Sequence, residues 1–144
     1  MKVRDILKTK GPEVFTIGEE KLLQEAIEKL VINRIGVLLV LNSQAKITGI
    51  ISERDIIKAC HEDPAQYGSK LVNTIMTTNV IVAEADDEVD YVESVMTDNR
   101  IRHLPIVDNK VLVGLISIGD LVKNQLNKQR SENKYLMDYI SGNA

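Results

Sequence analysis

Two short stretches hold the residues best suited to chemistry. Residues 49–55 read Gly-Ile-Ile-Ser-Glu-Arg-Asp, and residues 114–120 read Gly-Leu-Ile-Ser-Ile-Gly-Asp. Each ends an apolar run with a serine and places an aspartate three residues later. That spacing is a capping box: the serine accepts from the third N–H of a helix, and the acid reaches back to the serine N–H. The same geometry can bind. A helix N-terminus turns free N–H groups and a positive dipole end toward an anion such as phosphate. The serine hydroxyl is a further donor. A carboxylate has enough lone pairs to cap a helix and still accept from a vicinal diol such as a ribose. Capping accounts for each stretch taken alone. Their paired occurrence favours a nucleotide site.

The pair belongs to a longer repeat. Gly49 and Gly114 lie 65 residues apart, and Asn33-Arg34-Ile35 returns as Asn99-Arg100-Ile101 at an offset of 66. Asp5-Ile6-Leu7 resembles Thr74-Ile75-Met76. The one-residue difference in offset falls in a turn, where a duplication tolerates change. Each copy has the same order of elements. Residues 14–17 (VFTI) and 80–83 (VIVA) read as short strands. Leu22, Leu23, Ala26, Ile27 and Leu30 form one helical apolar stripe, and Val89, Val92, Val95 and Met96 form the other. Glu19 and Glu20, and Asp86 to Glu88, put negative charge at the helix starts. A hairpin follows in each copy, turning at Asn42-Ser43-Gln44-Ala45 and at Asp108-Asn109. Its strands are nearly all apolar, which predicts a sheet covered on both faces. The quoted stretch then opens a second helix.

The unit is β-α-β-β-α. One copy buries too little surface to be comfortably stable alone. The expectation is an α/β (α+β) body of two such repeats, packed through their sheets about a pseudo-twofold axis. The repeats are placed at residues 1–66 and 67–130, with 62–70 as a polar connector and 131–144 as a tail. From Asn124 onward the chain is polar and helix-prone. Leu126, Tyr135, Leu136 and Tyr139 are its apolar residues, available to dock on the body or on a partner.

Composition narrows the function. The chain has 144 residues, is 44% hydrophobic and carries a net charge of -3, so a core is affordable while nucleic-acid binding through a basic surface is disfavoured. With no Trp and a single Phe, stacking platforms for single-stranded nucleic acid are poorly supplied. Cys60 is the one cysteine, so no internal disulfide forms and zinc spacing is absent. A reduced cytoplasmic setting is expected. The apolar runs at 36–41 and 111–118 are far too short to span a bilayer.

The two Gly-h-h-Ser-x-x-Asp stretches (h apolar), the Asp-Ile-Leu and Thr-Ile-Met segments, and His103-Leu104-Pro105-Ile106-Val107 resemble the CBS domain, named for cystathionine β-synthase. The resemblance covers about residues 1 to 130, as the tandem pair called a Bateman module of the small stand-alone bacterial type. It implies a regulatory module that binds adenosine-containing ligands: AMP first, with ADP, ATP, NAD(H) or S-adenosylmethionine as others. It implies a site shared between repeats. One would join Ile51, Ser52, Arg54 and Asp55 with Ile81, Arg102 and His103. The other would join Ile116, Ser117, Gly119 and Asp120 with Phe15, Ile35 and Gly36. Asp55 and Asp120 would hold ribose hydroxyls, backbone near Ile81 or Phe15 would read adenine, and Ser52, Arg102 and His103 would approach phosphate. The resemblance also implies a homodimer through helices, an effector protein as listener, and no required cofactor.

Two features depart from the family pattern. Val37 to Val40 lack the proline that the second copy keeps as Pro105, and Gly119 stands where the first copy has Arg54. The site using Asp120 would lack the Arg102–His103 cations and hold phosphate less firmly. His103 also fits a core position, and Arg34 and Arg100 fit a helix C-terminus equally well. His61 beside Cys60 makes no metal site. The acidic cluster Glu84, Asp86, Asp87, Glu88 and Asp90 reads as a solvated face. Two other functions compete. A ligand-free scaffold would use the Ser–Asp pairs only as caps. A nucleotide-processing enzyme would need a nucleophile and base, a P-loop or a metal set, and the sequence offers none of these.

Overall fold

The computed structural model describes residues 1–11 and 13–140. These divide into two compact units: Val14–Ile81, and Met1–Glu13 together with Val82–Ala144. The units are not the sequence repeats. The leading segment of each repeat packs with the hairpin of the other, so residues 1–13 join the later sheet and residues 67–81 the earlier one.

In the Val14–Ile81 unit, β1 (Thr16–Gly18) runs parallel to β2 (Val37–Leu41), which pairs antiparallel with β3 (Ile47–Ser52). The sheet order is β1-β2-β3. Helix α2 (Leu23–Asn33) lies between β1 and β2, and α3 (Glu53–Glu62) follows β3 directly. The expected connector is part of this unit: it forms a 3₁₀ turn at Tyr67–Ser69, and Tyr67 packs on the core. A short helix, α4 (Val72–Ile75), completes the unit. Val37 to Val40 are all buried, as both-face coverage predicts, and Leu23, Ala26 and Leu30 supply the helical stripe. Burying each such valine or leucine side chain contributes about 1.5–3 kcal/mol.

The other unit repeats the plan. Helix α1 (Val3–Lys10) leads, and β4 (Ala83–Glu84) runs parallel to β5 (His103–Asp108), which pairs antiparallel with β6 (Val111–Ser117). Helix α5 (Val89–Asn99) buries Val89, Val92 and Met96. The turn between β5 and β6 has Asn109 and Lys110 both at positive φ, the requirement of a type I′ hairpin. Both hairpins shift register at matching points, between Val40 and Leu41 and between Ile106 and Val107.

Several expectations change. The leading strands start later than 14 and 80. The Phe15 carbonyl accepts from Leu39 at 3.1 Å, so laddering begins only there. The Val80 N–H turns back to Thr78, which leaves Ile81 ahead of β4 rather than inside a strand. No boundary separates residue 130 from a tail. Helix α6 (Ile118–Ile140) runs unbroken for 23 residues. Leu126, Tyr135, Leu136 and Tyr139 are all exposed on it, not docked on the body. Residues 141–144 of the expected tail lie outside the described residues.

The acidic cluster is solvated, as expected, and it also carries ion pairs. Asp86 pairs with Arg4, and Glu88 with Lys2 and the N-terminal amine, so the start of α1 is held by charge. Arg4 also reaches Asp108 at 3.1 Å. The bond from Arg4 holds the Asp86 carboxyl below its usual value, and the bond from Lys2 does the same for Glu88.

Candidate ligand site

Each Ser–Asp stretch forms the capping box that its spacing predicts. Ser52 is extended, at φ −120° and ψ 167°, because β3 ends there and α3 begins at the next residue. Its N–H donates to Asp55 Oδ2 at 2.9 Å, and the Asp55 N–H donates to Ser52 Oγ at 3.3 Å. The Ser52 hydroxyl also donates to Asp55 Oδ2 at 2.9 Å. In the other unit the Ser117 N–H donates to Asp120 Oδ2 at 2.8 Å, and the Asp120 N–H to Ser117 Oγ at 3.1 Å. Both carboxylates are therefore fixed in orientation before any ligand arrives.

The glycines that open the stretches serve close approach. A Cβ on Gly49 would lie 2.5 Å from Met76 Sδ and 2.9 Å from the Thr77 carbonyl oxygen. A Cβ on Gly114 would lie 2.6 Å from Leu7 Cδ2. Met76 and Leu7 are the repeat equivalents expected from sequence, and each lies over the glycine of its own unit.

Beyond Met76 and Leu7 the two corners diverge. In the Val14–Ile81 unit, Thr77 bridges the edge of β3: its N–H donates to the Ile50 carbonyl and the Ile50 N–H to its carbonyl, each at 2.9 Å. The Thr77 hydroxyl donates to Asp55 Oδ1 at 3.1 Å. In the other unit a lysine fills this place. Lys10 Nζ donates to Asp120 Oδ2 at 2.6 Å and to the Leu115 carbonyl at 2.5 Å. Burial pushes the Asp120 carboxyl up, but the Lys10 ammonium and the Ser117 N–H and hydroxyl outweigh it, leaving the group below the usual carboxylate value.

The remaining expected residues fall near the helix starts of their own units. The Glu53 N–H donates to the Gly36 carbonyl at 3.1 Å, which ties the start of β2 to α3, and Ile35 packs beside it on the core. The Ile118 N–H donates to the Arg102 carbonyl at 2.9 Å, the equivalent tie in the other unit. His103 opens β5 directly across from Ser117. Ile51 and Ile116 are fully buried beneath the serines, whereas Arg54 and Gly119 are exposed in the first helical turns. Phe15 packs partly on the core just before β1, and Ile81 is half-buried. Arg34 and Arg100 both take the left-handed conformation that ends α2 and α5, at φ 55° and 54°. This is a structural role shared by the two copies.

Sequence reasoning missed Thr77 and Lys10. The available signal was the tripeptide after each Asp-Ile-Leu or Thr-Ile-Met segment: Lys8-Thr9-Lys10 in one copy, Thr77-Thr78-Asn79 in the other. Among the described residues no group of three or more His, Cys, Asp or Glu could hold a metal ion, and no helix is long and apolar enough to cross a membrane.

Two three-stranded mixed sheets, each leading into a Ser–Asp-capped helix, repeat one plan within the chain. The CBS domain family model matches residues 3–62 and 72–127, and the chain belongs to that family. It is 30% identical to the mitochondrial CBS domain-containing protein CBSX3 of Arabidopsis thaliana, over 97% of this chain and 72% of that protein. The solved CBS-domain protein ATU1752 of Agrobacterium tumefaciens superposes with a TM-score of 0.83 at 35% identity, covering 87% of this chain and 99% of that one. The CBS domain pair of MJ0100, solved in complex with 5′-methylthioadenosine and S-adenosyl-L-methionine, superposes with a TM-score of 0.78 at 30% identity, covering 89% and 98%. The two matched stretches make the chain a CBS-domain pair.

Proposed function

We propose that this chain binds adenosine-containing nucleotides, AMP first, at its Ser–Asp corners and passes a ligand-dependent change of shape to a partner protein. Asp55 and Asp120 take the ribose hydroxyls. Ser52 and Ser117 offer helix N-terminal donors, Arg102 and His103 receive phosphate, and backbone near Phe15 or Ile81 reads adenine. Ile35, Gly36, Ile51, Arg54, Ile116 and Gly119 line the approach. The observation that carries this reading is the state of Asp55. Its carboxylate is oriented by Ser52 and Thr77 through three hydrogen bonds that reach both oxygens, yet a carboxylate has about four acceptor sites, so one stays open to a ribose hydroxyl and a second opens if the Thr77 hydroxyl gives way. The MJ0100 pair, which holds two adenosine-containing molecules, supports the same ligand class here.

A regulatory output requires different affinities for two states of the module. Exposed apolar residues on α2 and α3 (Val31, Ile32 and Ile57) and on α5 and α6 (Tyr91, Val122 and Leu126) support a homodimer formed through helices. The effector protein is a further partner in this reading, and the single Cys60 suits a reduced, cytoplasmic setting. A ligand-free scaffold is the second reading, and the capping boxes favour it because they already give Ser and Asp a structural use.

A thermal-shift and calorimetry panel of AMP, ADP, ATP, NAD, NADH and S-adenosylmethionine separates the two. A ligand at 100 times its dissociation constant adds about 2.7 kcal/mol of stability. Stabilisation by one of them is the expected result. Silence across the panel from a folded protein overturns nucleotide binding in favour of the scaffold.

A further inference from the structure

The two aspartates hold equivalent positions and are restrained by different chemistry. Around Asp55 the partners are neutral: a backbone bridge from Thr77 to Ile50 and the Thr77 hydroxyl on Oδ1. The bridge exists because α4 stops at Ile75, which frees Met76 and Thr77 to extend along β3. Helix α1 does not stop at the matching point. It continues to Lys10, so Lys8, the equivalent of Thr77, stays helical. The extra turn delivers Lys10, whose ammonium donates to Leu115, the equivalent of Ile50, and to Asp120. One charged group thus does what a backbone bridge and a hydroxyl do in the other unit.

We propose that Lys10 is a built-in occupant of the Asp120 corner that directs adenosine ligands to Asp55. The inference rests on the nucleotide-binding reading above and adds site selectivity to it. A ribose hydroxyl arriving at Asp55 competes with one neutral hydroxyl. At Asp120 it competes with an ammonium on the same chain, 2.6 Å away and partly shielded, the Lys10 and Asp120 side chains being 30% and 22% exposed. Both carboxylates make charge-assisted bonds, but at Asp120 the donor carries a full charge of its own, and an ion pair that is not deeply buried is worth up to about fivefold in affinity. Two of the three ammonium donors are already used on Asp120 and Leu115, so the charge is directed inward and not presented to a phosphate.

The test is isothermal calorimetry on the full chain with AMP and with adenosine. Wild type, Lys10→Met, Lys10→Arg, Asp55→Ala and the double variant Lys10→Met/Asp120→Ala are compared, each first checked for a folded melt. The tight event of wild type should weaken about 10- to 100-fold in Asp55→Ala. In Lys10→Met a second event should strengthen by up to about fivefold for both ligands and disappear in the double variant. Lys10→Arg, which keeps the charge, should behave as wild type. A Lys10→Met isotherm identical to wild type overturns the selectivity and leaves the nucleotide reading standing. Weaker AMP binding with unchanged adenosine binding also overturns it, because Lys10 would then be a phosphate ligand. Silence of wild type and Lys10→Met with both ligands removes the nucleotide reading and the inference together.

Discussion

The Asp55 and Asp120 corners descend from one pattern and end in different electrostatic states. Both have an extended serine, a reciprocal cap and a glycine beneath an apolar side chain. Asp55 is held by neutral donors from Thr77 and Ser52, whereas Asp120 is held by the Lys10 cation. The difference follows from where a helix stops. Helix α4 ends at Ile75 and lets the chain bridge β3, while α1 runs on to Lys10 and keeps the chain off β6. Small differences in helix length can therefore change the charge balance of a site while its capping geometry stays the same.

The comparison is most severely tested by removing the carboxylates. Asp55→Ala should weaken AMP binding by about 1.5–3 kcal/mol, roughly 10- to 100-fold, as read by calorimetry. Asp120→Ala should leave the tight event almost unchanged. Asp55→Ala also removes half of a capping box and should lower folding stability by about 1 kcal/mol, which urea melts can separate from binding. Equal loss of affinity in both variants would abolish the distinction between the corners.

The glycines test the packing half of the comparison. Gly49→Ala should destabilise by about 1–3 kcal/mol, because its new methyl meets the Thr77 backbone at 2.9 Å as well as Met76. Gly114→Ala should cost less. Its nearest neighbours are all side-chain atoms of Leu7, which can change rotamer. Denaturant melts giving the opposite order would show that the 76–77 bridge is softer than the Leu7 contact.

The smallest effect is electrostatic. Asp120 lies below its usual value in the folded protein, so its contribution is fully present above the unfolded aspartate pKa of about 3.9 and is lost as pH falls through the lower folded value. The stability gap between wild type and Lys10→Met should be at most about 1 kcal/mol near neutral pH, the scale of an ion pair that is not deeply buried. It should shrink below about pH 4, as urea melts across pH 3–6 would read. A gap that widens on acidification would mean that Lys10 acts through packing alone.

What the sequence determined by itself is local and repetitive. The 3.6-residue stripes placed α2 and α5, the apolar hairpins predicted β2–β3 and β5–β6, and the Ser-x-x-Asp spacing predicted both caps. Caps, periodicities and turns depend on residues within a few positions of one another, and a duplication shows each of them twice. Tertiary structure decided what depends on distant partners. Lys10 meets Asp120 across 110 residues, and Arg4 meets Asp108 across 104. The leading segments joined the other repeat's hairpin because Gly49 and Gly114 leave room for Met76 and Leu7 on those sheets. The strand starts shifted because ladder bonds need a partner edge, which residues 14 and 80 do not reach. The acidic cluster is solvated as its sequence suggests, but its ion pairs could not be read there because its cations lie at the opposite end of the chain. Charge and space at a site are summed over everything that packs there, and only the folded chain performs that sum.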